Sequence, residues 1–185
     1  MPRDVQRARD LAVLDAVDAF KREAFAQPVW RIAREWRDPL MGGPSESRWC
    51  NGTFDVLYVS LARDGALAEI HALLSMQPVF PSKILSFVHR IEVQAVATLR
   101  LADLPALARL GVDVTRYGER DYAKTQAIAD AAYFLGFDGL IAPSARWACL
   151  NAVLFTDRIP PAGIRHLDCE AEPVDWAAWR KRART

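Results

Sequence analysis

The segment HRIEVQAVA, residues 89–97, constrains the fold most. It places Ile91, Val93, Ala95 and Ala97 on one face and Arg90, Glu92 and Gln94 on the other. Successive side chains of a strand point to opposite sides, so this alternation is that of a half-buried strand with one face on a core. DVLYVS (55–60) is instead apolar on both faces, as an interior strand requires. GLIAPS, NAVLF and IRHLDCE add three short apolar segments late in the chain.

Helical spacing appears between these runs. Leu11, Leu14, Ala16, Val17 and Phe20 share one face, predicting a helix over 8–25 that Gln27-Pro28 ends. VWRIAR then reads as a strand. Residues 64–75 predict an amphipathic helix with Leu67, Ile70, Leu73 and Leu74 as its buried stripe. Another is expected over 121–135, capped by Asp121 and stopped by Gly136, and a short helix with a basic tail over 172–185. Strands and helices mix without a βαβ rhythm. The expected fold class is therefore α+β, a small mixed β core flanked by helices within a single domain, residues 1–185.

Composition removes several functions. With 51% hydrophobic residues, 185 residues can bury one substantial core. Twenty-four basic against 23 acidic residues leave a net charge of +1, which gives no footprint for nucleic acid or an anionic membrane. No apolar run approaches the ~18 residues of a membrane span, and the N-terminus lacks a secretory h-region. Cys50, Cys149 and Cys169 form no CxxC pair, and His71, His89 and His166 no ligand spacing. Neither a disulfide framework nor a metal site is expected, and a reducing, cytoplasmic setting is. GxGxxG and Walker A patterns are absent, so any dinucleotide must be held by arginines.

A few residues stand out chemically. Glu69 borders the apolar stripe of its helix, where a rigidly held carboxylate can reach into a cleft; the alternative is a solvated surface glutamate. Arg31 sits in an apolar strand, where a guanidinium needs an anion, either a phosphate group or a structural carboxylate. Arg48 follows glycines and serines in the long loop 37–53, a setting that suits an anion as well as solvent. Ser144 and Arg146 follow a strand in APSARW; with no GxSxG elbow and no Ser-His-Asp order, Ser144 reads as a ligand-binding or turn serine rather than a nucleophile. Tyr58 and Tyr122 can stack on a heterocycle or fill the core.

Together these residues resemble the RES domain family, named for its arginine, glutamate and serine. The resemblance rests on Arg31, SRWCNG, VLYVS, ALAE ending at Glu69, TQAIADAA, APSAR and NAVLF, in that order over about residues 29–156. One departure is the cysteine, Cys50, inserted before Asn51. The resemblance implies an ADP-ribosyltransferase-like fold and the toxin of a bacterial type II toxin–antitoxin pair. Such toxins consume NAD as substrate, by phosphorolysis, by hydrolysis or by ADP-ribosylating a protein acceptor. It implies Glu69, Arg31 and Ser144 as catalytic, and Arg31, Arg48, Tyr58, Asn51 and Ser144 as NAD-binding. The implied partner is an antitoxin with a helix-turn-helix DNA-binding region, for which the loop 37–53 and Trp176 and Trp179 are candidate contacts. The tryptophans have a plainer alternative, packing their helix onto the domain. A reading from another class, a catalytically silent docking module, leaves the joint presence of Arg31, Glu69 and Ser144 without a reason.

Overall fold

The computed structural model describes residues 8–182. Helix α1 (Leu11–Asp18) opens it, with the Asp10 carboxylate accepting from the Ala12 N–H as cap. Strand β1 (Arg22–Arg34) runs antiparallel to β5 (Ser86–Arg100) over almost its whole length. The helix expected over 8–25 is thus only eight residues long, and residues 22–25 at its expected end are strand. Pro28 does not end a helix but lies within β1 opposite Glu92. There β1 has one partner, because β4 (Val56–Ser60) joins it only at Trp30↔Ser60, and the missing N–H can face the open edge.

β4 (Val56–Ser60), β7 (Leu150–Phe155) and β6 (Gly139–Pro143) continue the sheet from β1, and β6 meets the C-terminal end of β5. Since β1 also pairs with β5, these five strands close into a small barrel. β8 (Ile164–Cys169) pairs with β5 alone, over His89–Val93. β5–β6 is the one parallel pair of this sheet. The alternation of residues 89–97 is observed: Ile91, Val93 and Ala95 are buried, whereas Arg90, Gln94 and Val96 are exposed.

A bulge lets β5 serve several partners. Its register with β1 shifts between Glu23 and Phe25. Beside it, the buried Asp138 accepts from the Val96 N–H (2.6 Å), the Ala97 N–H (2.7 Å) and the Thr98 hydroxyl (3.0 Å). The carboxylate satisfies the backbone donors that the irregular ladder leaves free. Gly136, at φ +84°, stops α4 (Ala123–Phe134) just before it, as its sequence position requires.

Helix α2 (Arg63–Leu74) packs on β1 and β4. Its buried face is made of Gly65, Ala66, Leu67 and Ala68 together with Leu74, whereas Leu73 is exposed. Of the expected stripe, Leu67 and Leu74 are buried and Ile70 partly so, only Leu73 turns outward, and the small residues beside them let the helix lie close to the sheet. Helix α5 (Trp176–Arg182) closes the described chain. Trp176 and Trp179 are each only 6% exposed; Trp179 packs on Trp147, and Trp176 on His71 and Phe80. They hold the helix onto the domain and are no free anchor for a partner. No helix among the described residues is long and apolar enough to cross a membrane.

Candidate active site

Glycine at position 65 determines how near α2 approaches the sheet. A Cβ there would stand 2.5 Å from the Ser60 hydroxyl and closer still to the Cys149 sulfur. Residues four apart lie one above the other on a helix, so this contact carries Glu69 toward the ends of β6 and β7. Oε1 of Glu69 accepts from the Ser144 hydroxyl at 2.6 Å and from Asn151 Nδ2 at 2.8 Å. Gly65→Ala therefore pushes the helix outward. The expected result is a stability loss of about 1–3 kcal/mol in denaturant unfolding, from overpacking, accompanied by a loss of whatever activity Glu69 supports.

Ser144 follows β6 directly. Its oxygen accepts from the Arg146 N–H (3.0 Å) and the Trp147 N–H (3.2 Å) while its proton goes to Glu69. The hydroxyl is thus fully used in fixing the carboxylate, and Ser144 is not among the residues that line the cleft described next. Asn151 is the second residue of β7, paired with Ser60 on one side and Ala142 on the other. Its Oδ1 is buried and accepts no hydrogen bond.

Glu69 and Asn151 lie in the wall of a cleft of about 600 Å³. Six arginines line it (Arg31, Arg34, Arg37, Arg48, Arg120 and Arg146), against two carboxylates, Glu46 and Glu69. Arg31 donates to the carbonyls of Tyr58 (3.1 Å) and Met41 (3.3 Å), and its Nε is buried without a partner. Among the described residues no carboxylate stands within ion-pair distance of it. Burial, with Arg37 nearby and Asp38 opposing, lowers its pKa to about 10. A half-buried cation of this kind, with its Nε unpartnered, calls for an anion, and the structural-carboxylate alternative is not met.

Arg48 lies at the tip of a hairpin formed by β2 (Glu46–Ser47) and β3 (Cys50–Asn51). Its guanidinium stacks between the rings of Tyr117 (4.5 Å) and Tyr122 (4.9 Å) and donates to the Glu119 carbonyl at 3.1 Å. Tyr58 lines the cleft, but its hydroxyl is engaged: it bonds Ser47 Oγ at 2.6 Å and accepts from the Trp49 N–H at 3.0 Å. Burial raises that phenol well above the usual tyrosine range. Tyr58 thus pins the loop that carries Arg48.

Asn51 falls elsewhere. Its Oδ1 accepts from the Thr53 N–H and hydroxyl, closing a turn of its own, and it does not line the cleft. Neighbouring residues of a strand face opposite ways. The inserted Cys50 takes the inward position, fully buried with its thiol on the Phe54 carbonyl, and turns Asn51 outward. The asparagine that does reach Glu69 is Asn151, which sequence reasoning left unassigned although NAVLF contains it. Arg37 and Arg120 were likewise missed, since single arginines in loops carry no periodic signal. Gln126 on α4 supports the hairpin by donating to the Ser47 and Cys50 carbonyls. Among the described residues no group of three or more His, Cys, Asp or Glu is placed to hold a metal.

Known proteins show the same arrangement of chain. The sequence profile of the family described as RES domain matches residues 28–177. The probable NAD(+) phosphorylase Rv3189 of Mycobacterium tuberculosis is 34% identical over 124 residues, 66% of this chain and 58% of that protein, so the match spans less than two thirds of that relative. The NAD(+) phosphorylase MbcT of Mycobacterium bovis is 24% identical over 166 residues, 85% of this chain and 89% of that protein. Among solved structures, the MbcT–MbcA toxin–antitoxin complex of M. tuberculosis contains a chain that superposes with a TM-score of 0.81 at 20% identity, covering 96% of this chain and all of that one. The fold is thus one already known.

Proposed function

Because the chain belongs to the RES domain family, we propose that it cleaves NAD at the nicotinamide–ribose bond, with inorganic phosphate as acceptor, as the toxin of a toxin–antitoxin pair. The observation that carries this reading is one cleft wall holding both a fixed carboxylate, Glu69, and a half-buried arginine without a carboxylate partner, Arg31, whose Nε is buried and unpartnered. The names of the relatives, NAD(+) phosphorylases, support the choice of substrate.

In this reading a phosphate oxygen bonds to ribose C1 as the C–N bond breaks. The bonding pair leaves with nicotinamide and neutralises its ring nitrogen. Positive charge grows on the ribose on the way, and Glu69 stabilises it more in the transition state than in the ground state. Ser144 and Asn151 hold the carboxylate, Asn151 Oδ1 takes a donor of the substrate, and Arg31 and Arg48 grip the pyrophosphate while Tyr58 offers its ring to the ribose or nicotinamide. Six arginines exceed what one pyrophosphate uses, which favours an anionic acceptor over water.

An antitoxin is the partner this activity requires in the cytoplasm that supplies the NAD, and the family resemblance gives it a helix-turn-helix region. Met41, Leu73 and Met76 are exposed at the cleft and offer it apolar contact. Nicotinamide release with and without phosphate tests the acceptor. The expected result is release that rises with phosphate and nearly stops in its absence. Equal release in both makes water the acceptor, and no release in either refutes the reading.

A further inference from the structure

Tyr117 touches both halves of this site and is not itself among the residues lining the cleft. It is 6% exposed and follows the 3-10 turn Val114–Arg116. One face of its ring carries the Arg48 guanidinium at 4.5 Å. Its hydroxyl donates to the Pro143 carbonyl at 2.7 Å. Pro143 is the last residue of β6 and the one before Ser144, whose proton holds Glu69. We propose that Tyr117 is a positioning residue that couples the anion-gripping Arg48 to the Ser144–Glu69 pair.

The coupling has a simple mechanical basis. The 144–149 loop is closed by the Ser144 N–H on the Cys149 carbonyl and by the Arg146 and Trp147 N–H groups on Ser144 Oγ. Nothing in those bonds fixes the loop relative to the Arg48 hairpin, which belongs to a distant part of the chain. Tyr117 supplies that link through one rigid ring, so a shift of the guanidinium and a shift of the Pro143 carbonyl cannot occur independently. Burial raises the phenol to about 12, with Arg48 opposing and Glu69 reinforcing the rise. The hydroxyl therefore keeps its proton and remains a donor at any physiological pH.

The inference rests on the NAD-cleavage reading for its kinetic consequence only. Tyr117→Phe keeps the face under Arg48 and removes the bond to Pro143. Its expected result is a kcat about tenfold lower with KM for NAD within about twofold. Tyr117→Leu also removes the ring face and should raise KM about fivefold on top of the kcat loss. Amide hydrogen exchange of Arg146 and Trp147 gives a readout that needs no substrate, and protection there should fall in the Phe variant. A Phe variant with parental kcat, or Phe and Leu variants that differ from the parent in melting temperature alone, overturns the proposal. If the parent releases no nicotinamide, the NAD reading fails and exchange decides the coupling: unchanged protection overturns it.

Discussion

Glu69→Gln lowers NAD turnover on the order of 10²–10³-fold and leaves the affinity for ADP-ribose within a few-fold. The amide has nearly the shape of the carboxylate and can present its oxygen to the same two donors, the Ser144 hydroxyl and Asn151 Nδ2. What it lacks is the negative charge, and in its place the cleft meets a neutral amide. Charge on the ribose is small in bound NAD and large at the point of C–N cleavage, so the loss falls on kcat. Steady-state kinetics with calorimetric binding separates the two effects. Turnover within a few-fold of the parent would return Glu69 to the role of a structural residue.

Arg31→Lys weakens ADP-ribose binding by roughly tenfold to a hundredfold, the equivalent of about 1.5–3 kcal/mol for a charge-assisted contact. The guanidinium already spends donors on the carbonyls of Tyr58 and Met41, and these fix its plane against β4 and the rim loop. Nε remains, buried and unpartnered, as a donor available to an anion. An ammonium cannot serve two carbonyls in that geometry and still offer a planar fork. Calorimetric titration of ADP-ribose into the folded variant checks this, with circular dichroism as the control for folding. Unchanged affinity would mean that the arginine serves only to tie the two carbonyls together.

The parts of the fold with strict periodicity were legible in the sequence. Residues 89–97 alternate because β5 has one face on the core, and that face alone dictates the pattern. The stretch after Asp18 was not. Residues 22–27 hold good helix formers, and only pairing with the distant β5 makes a strand of them, which no local window contains. The stripe on α2 is observed at Leu67, Ile70 and Leu74 and fails only at Leu73, but the small residues that share its buried face, Gly65, Ala66 and Ala68, were missed for a related reason. Close packing against Ser60 and Cys149 selects glycine and alanine over leucine, and a hydrophobic count undervalues both.

The site divides along the same line. Arg31 and Glu69 were conspicuous because a charge in an apolar strand and a carboxylate at the border of an apolar stripe both carry a physical cost or constraint. Asn151 was hidden, since an asparagine at the first residues of a strand looks like an ordinary turn residue. Asn51 misled because the inserted Cys50 reverses which face of a two-residue strand looks inward. Tyr117 gave no signal either; its role exists only once β6 and the Arg48 hairpin are brought together.

The most direct test of the account is to supply phosphate labelled with heavy oxygen together with NAD and to weigh the products. Free nicotinamide and ADP-ribose carrying the labelled phosphate on ribose C1 are the result expected from Glu69 and the arginine-lined cleft. Unlabelled products of pyrophosphate cleavage, AMP and nicotinamide mononucleotide, or NAD recovered intact, would contradict it.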